Sequence, residues 1–247
     1  MTSSLPQWPP VVFVLVPAYR ARDQLRALLP ELTAVVPADR VLVVDDGSKD
    51  GTDAVCAQRG VSCRVLEHNR GKGAALREGF GALLEAGAEW IVTMDADGQH
   101  AVEDLPAFPR AIDERSTHGI IIGSRRKRPG TMPLGRIVSN TVTSALVSCL
   151  TGCRIEDSQC GYRAYSARLL RSVTLRTNRF EAETEVILRA CRLGFDVSFV
   201  KVHTLYFQHG SHIAHIRDTL RWVGAVAGIL VSLHRWAGPD KAEKRQR

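Results

Sequence analysis

The chain has 247 residues, 45% of them hydrophobic and 24% charged, and 33 Lys plus Arg against 26 Asp plus Glu leave a formal charge of +7. That length and balance describe an ordinary globular protein with room for one large α/β domain or two small ones, and the chain reads as one domain with a C-terminal appendage. The positive excess gathers in Arg125-Arg126-Lys127-Arg128 and in the tail 241–247, which calls for phosphate groups or an anionic membrane surface as partners. No basic stretch is interleaved with aromatic residues, so nucleic acid is set aside.

In chain order, strand-like and helix-like segments alternate through the first half. Residues 11–16 form an apolar run, 23–36 carry helical spacing, and 40–44 are again apolar and β-branched. A short helix at 52–59, a third strand at 64–67, a helix over 71–86 and a fourth strand at 90–94 follow. Such alternation predicts a largely parallel sheet wrapped by helices, with chemistry at the strand ends. Beyond a strand at 119–123 come a basic loop at 124–135, an uncharged Ser- and Thr-rich stretch at 137–150, and an acidic helix start, Phe180-Glu181-Ala182-Glu183-Thr184-Glu185.

The segment 222–233 holds no charge and is flanked by Arg217, Arg221, His234, Arg235 and Trp236. A span needs about 20 apolar residues, so this helix is too short to cross a bilayer. Cationic and Trp flanks suit an amphipathic helix in the membrane interface, and packing on its own domain or on a second copy of the chain fits equally.

Cys56, Cys63, Cys149, Cys153, Cys160 and Cys191 show neither a C-x-x-C pair nor metal spacing with His, and the N-terminus lacks the basic flank of a secretory signal. Reduced thiols and a cytoplasmic setting are the expectation.

Three strand ends are distinctive. Asp95-Ala96-Asp97-Gly98-Gln99-His100 ends the fourth strand with two carboxylates one residue apart, which suits a divalent cation held partly by substrate phosphate. Read alone, it is equally an Asp- and Gly-containing turn. Asp45-Asp46-Gly47-Ser48 offers carboxylates to a base or ribose, while Asp50 and Thr52 read as helix caps. Asn69-Arg70-Gly71-Lys72-Gly73 lacks the P-loop spacing, yet its glycines allow close backbone approach to a ligand and Lys72 can neutralise a phosphate.

Taken together, Val16-Pro17-Ala18-Tyr19, Val43-Val44-Asp45-Asp46-Gly47-Ser48, Asn69-Arg70-Gly71-Lys72-Gly73 and the Asp95–His100 run resemble the family 2 glycosyltransferases. Gly123-Ser124-Arg125 and Asp157-Ser158-Gln159-Cys160-Gly161-Tyr162-Arg163 are similar to the polyprenyl-phosphate branch, the dolichol-phosphate mannose and glucose synthases and their bacterial relatives. The resemblance implies a GT-A fold, Rossmann-like with a mostly parallel sheet, over 11–215. Residues 11–124 would be the nucleotide-sugar half and 125–215 the acceptor half, with an extension at 1–10 and an interfacial helix and basic tail at 216–247.

It also implies roles. Pro17, Tyr19, Val44 and Asp46 would contact the nucleoside, with Lys72 and Ala96 also on the donor side; Asp95, Asp97 and Gln99 would hold Mg²⁺ or Mn²⁺ and the donor diphosphate. Arg125 would pair with anionic oxygen at the reaction centre, with Asp97 and Gln99 beside it, and Arg136 and Ser124 would serve the acceptor phosphate. A nucleotide-sugar, a polyprenyl phosphate and the inner face of the membrane are the implied partners. The family usually carries Asn-Glu where Arg20-Ala21 stand, and an Arg followed by Gly-x-Ser-Lys where Gln208-His209-Gly210-Ser211-His212 stand, so His212 is the candidate substitute on the donor side. Transfer to a hydroxyl acceptor, or a silent sugar-nucleotide-binding protein, are the competing readings.

Overall fold

The computed structural model describes residues 8–114, 118–126 and 132–203, with the helical positions Gly224, Val226 and Gly228. His212, the segment 222–233 as a whole and the basic tail lie outside the described residues.

Seven strands form one sheet. In chain order the elements are β1 (Val12–Ala18), α1 (Arg22–Val35), β2 (Val41–Asp45), α2 (Thr52–Gln58), β3 (Ser62–Val65), α3 (Lys72–Glu85), β4 (Trp90–Thr93), α4 (Ala107–Glu114), β5 (His118–Arg125), α5 (Leu134–Thr151), β6 (Arg163–Ser166), α6 (Ala167–Ser172), α7 (Glu181–Arg192) and β7 (Asp196–Val202). The strand order is β3-β2-β1-β4-β6-β5-β7. All neighbours run parallel except β6, which is antiparallel to both β4 and β5. The mostly parallel α/β sheet expected from the alternating pattern is therefore present, with one reversed strand.

Burial explains which segments became strands. Every residue of β1 and of β2 is buried, as parallel strands covered on both faces must be, and their β-branched runs suit that environment. Against them α1 lays Leu25, Leu28, Leu29 and Leu32, spaced as one helical face. The third strand sits two residues earlier than 64–67 because β3 is an edge strand with mostly exposed side chains, so hydrophobicity does not mark it. The uncharged stretch is the helix α5, whose Thr141, Thr143, Ser148 and Thr151 hydroxyls donate to carbonyls one turn back. Asn140, Thr143, Ser144 and Val147 form its buried face.

This topology brings distant loops together. Ala18 pairs with Asp45, Leu15 with Thr93, and Thr93 and Ile122 both pair with Arg163. The C-terminal ends of β1, β2, β4 and β5 and the loop entering the reversed β6 therefore share one edge of the sheet.

Candidate active site

Asp95 and Asp97 follow β4 at that edge. Thr93 anchors the strand end by donating its hydroxyl to the Gly161 carbonyl at 2.8 Å. Gly161 itself must lack a side chain, since a Cβ there would stand 2.5 Å from Asp95 Oδ2. Asp95 Oδ1 meets Lys72 Nζ at 2.5 Å, and its Oδ2 lies 3.5 Å from His100 Nε2. Burial acts to raise the Asp95 carboxyl, yet the Lys72 charge and the His100 hydrogen bond hold it well below the usual carboxylate range. Burial likewise acts against the Lys72 ammonium, and Asp95 and Glu183 more than restore it, so its proton is held more tightly than usual.

Asp97 is exposed and takes the Gln99 amide on Oδ1 at 2.9 Å, closing a turn in which Gly98 adopts φ +72°. Gln99 Oε1 in turn faces Arg136 Nη1 at 3.5 Å. Arg136 stands in the first turn of α5, so the expected acceptor residue and the expected metal loop are neighbours across 37 positions of sequence. Ala96 is buried behind them.

On the other side of the loop, Arg125 grips Asp157 with Nε on Oδ2 at 2.7 Å and Nη2 on Oδ1 at 2.9 Å. Asn140 Nδ2 adds a third donor to the fully buried Asp157 at 2.8 Å. The anionic oxygens beside Arg125 are therefore those of Asp157. Ser124 donates to Glu156 Oε2 at 2.8 Å, which also receives Lys201 at 2.8 Å. Fully buried Arg163 donates to the carbonyls of Cys160, Ser158 and Glu183 at 2.5, 2.8 and 2.8 Å, which fixes the loop entering β6 against α7.

The residues expected to contact the nucleoside divide. Tyr19 is exposed at the end of β1, with the Arg20 guanidinium 5.3 Å from its ring centroid. Pro17 and Val44 pair across the sheet and are buried, so the Val44 side chain contributes packing. The Asp46 carboxylate accepts the Arg70 and Gly71 amides at 2.8 and 2.7 Å, and Asp45 accepts from the Ser48 amide and hydroxyl. These carboxylates hold the turns that follow β2 and precede α3.

Gly71 and Gly73 do permit a close approach, and the chain itself makes it. A Cβ at Gly71 would lie 2.5 Å from the Asn178 carbonyl oxygen, and one at Gly73 would lie 2.7 Å from that of Thr177. Glu185 holds this segment in place, accepting the Arg176 and Thr177 amides and the Arg189 guanidinium. The reading of these two glycines as room for a ligand is thus corrected: residues 177–178 fill it.

Two site residues carried no assigned role from sequence. His100 is buried against Asp95 and Tyr162, and among the described residues its Nδ1 has no partner. Glu183 Oε1 receives Lys72 Nζ at 3.1 Å. Its partner lies 111 positions away, so no local pattern singled it out. All six cysteines are free thiols.

Comparison with known proteins accords with this geometry. The model of the family "Glycosyl transferase family 2" matches residues 13–176. An undecaprenyl-phosphate mannosyltransferase of Micrococcus luteus is 34% identical, over 74% of this chain and 79% of that protein. A UDP-N-acetylglucosamine–dolichyl-phosphate N-acetylglucosaminyltransferase of Methanococcus voltae is 30% identical, over 81% and 87%. Among solved structures, glucosyl-3-phosphoglycerate synthase from Mycobacterium tuberculosis, crystallised with Mn²⁺, UDP and glucosyl-3-phosphoglycerate, superposes with a TM-score of 0.70 at 18% identity, covering 90% of this chain and 79% of that one. With the family model spanning most of the sheet that builds this site, the chain belongs to the family 2 glycosyltransferases.

Proposed function

We propose that the protein is an inverting glycosyltransferase that moves a sugar from a UDP- or GDP-sugar to a polyprenyl phosphate at the cytoplasmic face of a membrane. The observation that carries this reading is the meeting of Gln99 with Arg136, which sets a guanidinium suited to an acceptor phosphate beside the loop suited to a donor diphosphate. Relatives acting on undecaprenyl and dolichyl phosphate support the acceptor class. So does α5, which carries Arg136 in its first turn and exposes Leu134, Val138, Val142, Leu146 and Leu150, an apolar stripe suited to a lipid. No helix among the described residues is long and apolar enough to cross a membrane.

The residues fit a hard divalent cation. Asp95 and Asp97 offer carboxylate oxygens and Gln99 an amide oxygen, and the absence of a Cβ at Gly161 keeps the Asp95 carboxylate from being crowded further. When bound, the cation supplies Lewis-acid stabilisation of the leaving nucleoside diphosphate. Lys72 adds fixed positive charge beside it, and Tyr19 offers its ring to the base.

A polyprenyl phosphate arrives with its nucleophilic oxyanion formed, so Arg136 orients the phosphate and no side chain has to take a proton. A hydroxyl acceptor would need a base, and the acceptor-half carboxylates Asp157 and Glu185 are both engaged, Asp157 by Arg125 and Asn140 and Glu185 by Thr177 and Arg189. In-line displacement then inverts the anomeric centre.

The test is product formation. Purified protein, Mn²⁺ or Mg²⁺ and undecaprenyl phosphate are incubated with a panel of radiolabelled UDP- and GDP-sugars, with undecaprenol as control. A labelled, phosphate-dependent lipid product is expected from one donor; transfer to undecaprenol at equal rate would favour the hydroxyl-acceptor reading.

A further inference from the structure

Lys72 Nζ stands between two carboxylates, Asp95 Oδ1 at 2.5 Å and Glu183 Oε1 at 3.1 Å, with the Lys72 and Glu183 side chains only 13% and 8% exposed. Burying such a group adds little stability in itself, because desolvation offsets most of the attraction. Its placement is more informative than its energy. The ammonium occupies an oxygen of one of the carboxylates suited to a divalent cation, so any cation arriving there competes with it.

Glu183 is placed to resolve that competition. It sits in the first turn of α7, and its main chain is fixed by Arg163 Nη1 on its carbonyl at 2.8 Å. Two residues on, Glu185 clamps the segment that packs on Gly71 and Gly73, flanking Lys72. The second carboxylate is thus held rigidly relative to the start of α3, already within reach of the ammonium. An ammonium displaced from Asp95 keeps an ionic partner without crossing apolar space.

We propose that Glu183 is a positioning residue that retains Lys72 when a divalent cation takes Asp95, making Lys72 the stand-in cation of the metal-free site and a fixed charge beside the donor diphosphate afterwards. This rests on the metal-dependent reading above. Glu183 then governs cation affinity through Lys72, without ligating the cation and without acting as a remote negative charge.

The experiment is Mn²⁺ binding to the full-length protein with UDP or GDP present and no acceptor, read by electron paramagnetic resonance. Wild type, Lys72→Met, Glu183→Gln and the double variant form a cycle, with circular dichroism as a check on folding. Glu183→Gln is expected to weaken Mn²⁺ binding about tenfold in the wild-type background and by no more than about twofold once Lys72 is Met. Glu183→Asp keeps the charge but shortens the arm, so it is expected to behave like Glu183→Gln; it decides the matter alone if Lys72→Met does not fold. An equal effect of Glu183→Gln in both backgrounds, or wild-type affinity in Glu183→Asp, overturns the proposal while leaving the transferase reading intact. A wild-type protein that binds no Mn²⁺, or binds it undiminished after Asp97→Ala, overturns both this proposal and the metal-dependent reading on which it rests.

Discussion

The Arg125 guanidinium holds both oxygens of Asp157 across 32 positions of sequence, joining the end of β5 to the loop that enters β6. Both groups are nearly or fully removed from water, and Asn140 supplies a further donor from α5. This pair fixes the Ser158–Gly161 turn on which Asp95 rests. Arg125→Ala should lower unfolding free energy by about 3 kcal/mol, because it strands a buried carboxylate, and Arg125→Lys should recover only part since Lys cannot bind bidentately. Urea denaturation of the three proteins measures it; an unchanged midpoint in Arg125→Ala would show that the pair does not hold the loop.

Acid should expose the same pair. Burial acts to raise Asp157, and the Arg125 and Asn140 hydrogen bonds outweigh it, leaving the carboxyl below its ordinary value. The unfolded chain therefore binds this proton first as pH falls. The pair's contribution is complete above the unfolded carboxylate range and is lost as pH drops through the lower folded value. Glu185, lowered by Thr177 and Arg189 against its burial, adds in the same direction. Thermal melts of wild type and Asp157→Asn should show a stability gap that is constant from about pH 7 to 5 and narrows below about pH 4; a gap that widens on acidification contradicts the assignment.

Arg20 adopts φ +51°, a left-handed conformation that costs a side chain about 1 kcal/mol and suits Asn or Gly. Arg20→Gly should stabilise by about 0.5 kcal/mol after loss of the exposed cation–π contact with Tyr19. Calorimetry decides it, and a lower melting temperature would mean that the contact outweighs the strain.

If Arg136 holds the acceptor phosphate, Arg136→Ala raises the apparent KM for undecaprenyl phosphate far more than that for the nucleotide-sugar, with poor rescue by Lys. Initial-rate kinetics with each substrate varied in turn provide the comparison. Equal effects on both would assign Arg136 to the donor side through Gln99.

Much of the donor half was legible because its strands are buried on both faces. Continuous β-branched runs such as Val41–Val44 mark themselves, and the Asp95–His100 loop announces a polar strand end. The reversed β6 was not legible: Arg163–Ser166 is four residues with two polar members, made a strand by pairing with β4 and β5. The sequence marks Lys72 as able to neutralise a phosphate, whereas its two carboxylate partners come from the loop after β4 and from α7 through tertiary packing. The same holds for Asp46, whose acceptor capacity was visible but whose backbone partners at Arg70 and Gly71 follow only from the turn between β3 and α3.

Under the proposed function, sugar transfer occurs at the loop after β4 and depends on a cation held there. Asp97 is exposed and outside the core, so Asp97→Ala should keep the fold while removing a ligand. The deciding measurement is the rate of labelled sugar transfer to undecaprenyl phosphate by wild type and Asp97→Ala, each with Mn²⁺ and with excess chelator. The account predicts loss of at least about 100-fold in the variant and in chelator, with unchanged circular dichroism; full turnover by Asp97→Ala, or undiminished wild-type turnover in chelator, would contradict it.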